Sequence, residues 1–181
     1  MKKRTFFQEY YYNEDFWHIN TAPKSSLLNI ELMGITYADP SYRISRTNQW
    51  DMYILEYVTE GVGHITCGKQ KYRVAKGDAY LISKFTEHEY HADPDHPYKK
   101  IWINVSGDLV TQLLKAFRLS EPVVIRHVGG AYVLAEVFVD IDAHLLRQGK
   151  VLLFHLVDVF GHLVKHGIKN RADLFRIVFR V

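Results

Sequence analysis

The sequence predicts a mainly β protein, a small antiparallel barrel followed by helices, and three observations carry that prediction. From Leu27 to about Val105 the chain reads as short runs rich in β-branched and aromatic residues, punctuated by glycine and Asp-Pro turns. Strands at this spacing point to a barrel. A Gly77-Asp78 turn leads into a His88-Glu-Tyr90 strand. After Ser106 the apolar residues change to helical spacing.

The first 26 residues read as an arm. They are polar and aromatic, with Tyr10-Tyr-Tyr12, Phe16-Trp17-His18 and Pro23, and show no clear period. So many aromatics imply packing against something, either as cover for a pocket or as filling for a groove on the barrel.

The barrel is expected over residues 27–105. Leu28 to Ile35 alternates at period two, and Asp39-Pro40 marks a turn. Tyr53 to Tyr57 is a strand, and Glu60-Gly-Val-Gly63 is a break where glycine permits positive φ. His64 to Cys67 pairs back, with Cys67-Gly-Lys as the next hairpin turn. Gln70–Val74, Ala79–Ser83 and Glu87–Ala92 follow, then a loop at Asp93-Pro-Asp-His-Pro97 and a closing strand from Tyr98 to Val105.

Residues 106–167 are expected to be helical. Leu109, Val110, Leu113, Leu114 and Phe117 share a face, with Ser106 placed as N-cap. Leu134, Val137, Phe138, Ile141 and Leu145 form a second stripe, and Leu152, Leu156, Val159, Phe160 and Leu163 a third. The last two, joined at Gly149, suggest an antiparallel helix pair. Their apolar faces exceed what one barrel needs, which favours a homodimer over helices that merely pack on their own barrel. Residues 168–181 fit either period and read as a linker or a truncated end.

Composition bounds the function. A chain of 181 residues makes one domain with a real core. The single cysteine, Cys67, excludes an internal disulfide and a thiolate metal cluster, and a reducing cytoplasm is the simplest setting. No apolar run is long enough to span a membrane, and Met1-Lys-Lys-Arg precedes no signal-type apolar core. The net charge of +3 is uneven, with five Lys/Arg against one Asp between Phe160 and Val181. That end reads as a solvated helix face and tail rather than a nucleic-acid surface.

The order strand, Gly61-Val-Gly63, strand, Gly77-Asp78, His88-Glu-Tyr90, Trp102-Ile resembles the N-terminal sensor and dimerisation domain of AraC-type transcription regulators. The resemblance covers about Leu27 to Gly167. It implies a cupin-like jelly-roll barrel followed by a helical hairpin, a small-molecule effector such as a sugar, a homodimer, and no catalytic activity or cofactor. It also implies DNA contact only through a C-terminal helix-turn-helix domain absent from this chain.

By the same resemblance, Thr36, Arg46, Tyr90, Lys100 and Trp102 fall on ligand-pocket positions of the family's arabinose sensor. Arg46 would donate a fork of hydrogen bonds, and Trp102 would stack on a sugar face. Lys100 stands where that sensor uses a histidine, and with Arg46 its charge would favour a phosphorylated or acidic ligand.

The alternative is a metal-dependent cupin enzyme. Ten histidines make it worth testing. His64 has no second histidine at the His-x-His spacing, and His88 and Glu89 point to opposite faces of one strand. A titrating His-rich rim is the expectation instead, with no metal site. No nucleophile elbow or phosphate loop is present.

Overall fold

The computed structural model describes residues 13–18, 27–117, 119 and 122–127. They form ten strands and one helix: β1 Glu14–His18, β2 Asn29–Thr36, β3 Arg43–Arg46, β4 Tyr53–Glu60, β5 Val62–Cys67, β6 Gln70–Ala75, β7 Asp78–Ile82, β8 His88–Ala92, β9 Lys99–Ser106, α1 Asp108–Ala116 and β10 Val123–His127. All strand pairs are antiparallel. One sheet runs β1-β2-β9-β4-β7-β10, and the other runs β3-β8-β5-β6. Strands β2 to β9 cross between the two sheets in the jelly-roll manner, except for the β5–β6 hairpin within the smaller one, while β1 and β10 extend the larger sheet at its edges.

The sequence explains this split. Central strand β4, between β9 and β7, is buried from Tyr53 through Val58. Its even-numbered residues face the second sheet, and its odd-numbered ones face outward under α1, where the Tyr53 hydroxyl lies 3.0 Å from Thr111 Oγ1. On β8 the same alternation buries His88, Tyr90 and Ala92 and leaves Glu89 to pair with Arg43 at 2.8 Å. The interior is apolar over most of its extent, with Ile44, Ile54, Val58, Ile65, Val74, Ile82 and Val123 packed among tyrosines.

The expected break at Glu60–Gly63 is a single residue. Gly61 turns the chain at φ 71°, and a Cβ there would lie 2.3 Å from the Pro97 carbonyl oxygen. Gly63 is instead inside β5, where the Tyr98 ring needs the space of its missing side chain.

Four expectations change. Part of the arm, Glu14–His18, is a strand paired with β2. Residues 43–46 form a strand that the sequence pattern did not mark. Within the segment expected to be helical, Val123–His127 pairs with β7. The N-cap of α1 is Gly107 at φ 116°, not Ser106. The Ser106 hydroxyl is engaged across the sheet, donating to Glu31 at 2.9 Å and accepting from Asn29 at 3.3 Å. The first helical stripe is otherwise as expected, with Val110, Leu113, Leu114 and Phe117 buried. The second and third stripes, the rest of the arm and residues 168–181 lie outside the described residues.

Candidate ligand-binding site

The strand register decides which side chains enter the space between the sheets. Thr36, Lys100 and Val58 stand side by side in one row of the larger sheet. Gly34, Trp102, Glu56 and Tyr80 form the next row, and Leu32, Asn104, Ile54 and Ile82 a third. On the facing sheet, Ile44, Tyr90 and Ile65 form one row, with Arg46 and His88 beside it.

Lys100 is fully buried, and its ammonium pairs with the buried Glu56 carboxylate. The Tyr80 hydroxyl donates to the same carboxylate. The rings of Tyr90, Tyr42 and Tyr98 lie 4.2, 4.9 and 5.1 Å from Nζ, an aromatic cage for a cation. Burial pulls Lys100 below the ordinary lysine value, while Glu56 and then Glu14 act in the opposite direction. Burial also pushes all four phenols well above the usual tyrosine range, so the cage is uncharged.

A second set joins β1 to this centre. The Trp102 indole donates to Thr36 Oγ1 at 3.1 Å, and Thr36 donates in turn to the Glu14 carboxylate. The Phe16 ring lies 6.3 Å from the Trp102 ring. Gly34 permits this, since a Cβ there would lie 2.6 Å from Trp102 Cζ2 and 2.8 Å from Phe16 Cβ. Burial raises the Glu14 carboxyl above its ordinary value, against the pull of Lys100 and Thr36.

The third set lies at the end of the sandwich where β3, β5, β7 and β9 finish and β4 and β8 begin. Here the Arg46 guanidinium sits 4.5 Å over the Trp50 ring. Among the described residues six buried side-chain polar atoms have no hydrogen-bond partner; Arg46 Nε, Trp50 Nε1, His88 Nε2 and Asn104 Oδ1 belong to residues at this end, and the other two are Tyr98 Oη in the lysine cage and His91 Nδ1 on the outer face. The His88 ring stacks on Tyr90 at 5.5 Å, which links this end to the lysine cage.

The structure therefore brings Thr36, Tyr90, Lys100 and Trp102 to the centre and sets Arg46 at one end, all facing the interior. Of the two cations expected to favour an anionic ligand, Lys100 already meets the Glu56 carboxylate. Sequence reasoning missed Glu56, Tyr80, Glu14, His88 and Asn104. The available signal for Glu56 was a lone carboxylate inside the apolar run Tyr53-Ile-Leu-Glu-Tyr-Val58. The surface-rim reading is corrected for His88, which is 3% exposed. His64 and His91 do lie on the outer face, with rings 5.3 Å apart and His64 paired to Asp93 at 3.1 Å. Among the described residues no three His, Cys, Asp or Glu side chains are grouped to hold a metal ion.

His88 makes the site pH-sensitive. Burial holds its pKa below the ordinary 6.5, only partly offset by the hydrogen bond to the Thr86 carbonyl. Between 6.5 and the lower folded value, the unfolded chain binds a proton that the folded chain refuses, so stability is lost as pH falls through that window. A denaturation series should show stability falling below about pH 6.5. The variant His88→Asn, which keeps a donor toward Thr86, should flatten that limb. An unchanged slope in the variant would assign the acid sensitivity elsewhere.

A two-sheet jelly roll with a few buried polar side chains in a mostly apolar interior is an arrangement that can hold a small molecule. Residues 29–168 match the family described as AraC-like ligand binding domain, and the chain belongs to that family. It is 29% identical over 117 residues to the raffinose operon transcriptional regulatory protein RafR of Pediococcus pentosaceus, covering 64% of this chain and 42% of that protein. It is 31% identical over 88 residues to the Msm operon regulatory protein of Streptococcus mutans, covering 49% of this chain and 31% of that one. The chain thus spans less than half the length of these relatives. The AraC-like transcriptional activator CuxR shares the fold, with a TM-score of 0.53 at 12% identity over 83% of this chain and 53% of that one. Among the described residues no helix is long and apolar enough to cross a membrane.

Proposed function

We propose that this domain senses a small carbohydrate or sugar derivative held between its two sheets and governs a DNA-binding domain outside this chain. The observation that carries the reading is the group of four unpartnered polar atoms on Arg46, Trp50, His88 and Asn104, all at one end of the sandwich. Protein interiors leave few such atoms, and the hydroxyls of a bound sugar would satisfy them. Thr36, Arg46, Tyr90, Lys100 and Trp102 are the residues we assign to the ligand, with Trp102 offering a flat apolar face. The raffinose operon regulator among the relatives supports a saccharide effector.

In this reading the protein is a cytoplasmic homodimer joined through residues 106–167, needs no cofactor and catalyses no reaction. Strand β1 couples the ligand to the arm, since Glu14 and Phe16 both reach the site. The effector changes the balance of regulator states only through unequal affinity for them. The test is thermal denaturation of the purified chain with monosaccharides, raffinose-type oligosaccharides and sugar phosphates. A ligand at 100 times its Kd adds about 2.7 kcal/mol, or roughly 5–10 °C for a chain of this size. No rise with any saccharide would overturn the proposal.

A further inference from the structure

We infer that the effector is an uncharged polyhydroxy compound, and that Glu56 sets this preference by cancelling the charge of Lys100 at the centre of the site. The inference rests on the proposed function, that the effector lies between the sheets, and goes on to its chemistry. Two lines of observation carry it.

The first is charge. Of the two cations in the three polar sets, Lys100 meets the Glu56 carboxylate and also feels Glu14, while Arg46 lies over the Trp50 ring. Lys100 touches Glu56 where both side chains are at most 2% exposed. A carboxylate or phosphate brought to that ammonium would also meet the Glu56 charge, in a medium that screens repulsion poorly. An uncharged ligand carries no such penalty.

The second is the polarity of the unpartnered atoms. His88 Nδ1 lies 2.7 Å from the Thr86 carbonyl oxygen, which can only accept. The proton therefore sits on Nδ1, and Nε2 of the neutral ring is an acceptor. Asn104 Oδ1 is a second acceptor, while Arg46 Nε and Trp50 Nε1 are donors. Two donors and two acceptors thus belong to residues at the same end of the two sheets. A carboxylate or phosphate would answer the donors and repel both acceptors. A hydroxyl donates and accepts, so a polyol answers all four. Turning the Asn104 amide over still leaves His88 Nε2 in need of a donor.

The test is isothermal titration of the 181-residue chain with matched pairs, galactose against galacturonate and glucose against glucose 6-phosphate, with raffinose as a larger neutral probe. The expected result is that a neutral sugar binds and that a charged partner binds at least about tenfold more weakly. In Glu56→Gln the Lys100 charge is unanswered, and the gap should narrow by about tenfold. Should that variant fail to fold, the wild-type comparison stands without any variant. Equal or tighter binding of a charged partner by the wild type would overturn the inference. A folded Glu56→Gln variant with an unchanged gap would remove Glu56 from it. Silence toward every probe would overturn the saccharide reading beneath it.

Discussion

Replacing Lys100 with Met, or Glu56 with Gln, one at a time, destabilises the domain by about 3–5 kcal/mol, the cost of leaving one buried charge unpaired. Among the described residues neither group has another ion-pair partner, and Glu14 acts on Lys100 only at longer range. Around the ammonium stand three tyrosine rings, which attract a cation but do not neutralise it. Around the carboxylate stand Lys100 and the Tyr80 hydroxyl. The double variant removes both charges and should recover most of the loss, because an apolar pair of similar volume is often as stable as a buried ion pair. A urea-denaturation cycle over the wild type, the two single variants and the double variant reads this directly. Single variants within about 1 kcal/mol of the wild type would mean that the pair is solvated and does not form the centre of the domain.

Trp102→Ala is the second large change, with an expected cost of about 3–5 kcal/mol for a truncated buried tryptophan. Its distinctive consequence is at the N-terminus. Trp102 donates to Thr36, which holds Glu14, and its ring faces Phe16. Loss of the indole therefore frees the side of β1 that points inward. Amide exchange at Glu14–His18 should accelerate well beyond the change in global stability. Trp102→Phe, which keeps most of the ring and loses the donor, should fall between. Equal protection of β1 and the central strands in Trp102→Ala would show that Trp102 is only core filling and does not couple the site to the arm.

Much of the jelly roll was legible because its strands are alternating or apolar runs and its turns carry glycine. β2 was read from its alternation, while β4 and β9 are continuous, mostly apolar runs bounded by turns. β3 was not legible, since Arg43-Ile-Ser-Arg46 offers a single apolar residue and, among the described residues, pairs only with β8. β1 is too polar, and the three-residue apolar run at the start of Val123-Val-Ile-Arg-His127 too short, to distinguish strand from helix by pattern. The interior direction of Thr36, Tyr90, Lys100 and Trp102 followed from alternation and from resemblance to a known sensor. Their partners did not, because Glu56 lies 44 residues from Lys100 and Glu14 lies 22 from Thr36. A periodic pattern says that a side chain faces inward, and only the register of paired strands says what it meets. That is why Lys100 suggested an anionic ligand from sequence and a neutralised centre in the fold.

The central claim is that a small ligand binds between the two sheets. The chain has three tryptophans, and two of them, Trp50 and Trp102, lie at the proposed site. The most direct measurement is the indole N–H region of a ¹H–¹⁵N spectrum during titration with a sugar that stabilises the protein. Binding between the sheets predicts saturable shifts of the Trp50 and Trp102 indole signals with one common Kd. A stabilising sugar that leaves both signals unmoved would place its site elsewhere and contradict that claim.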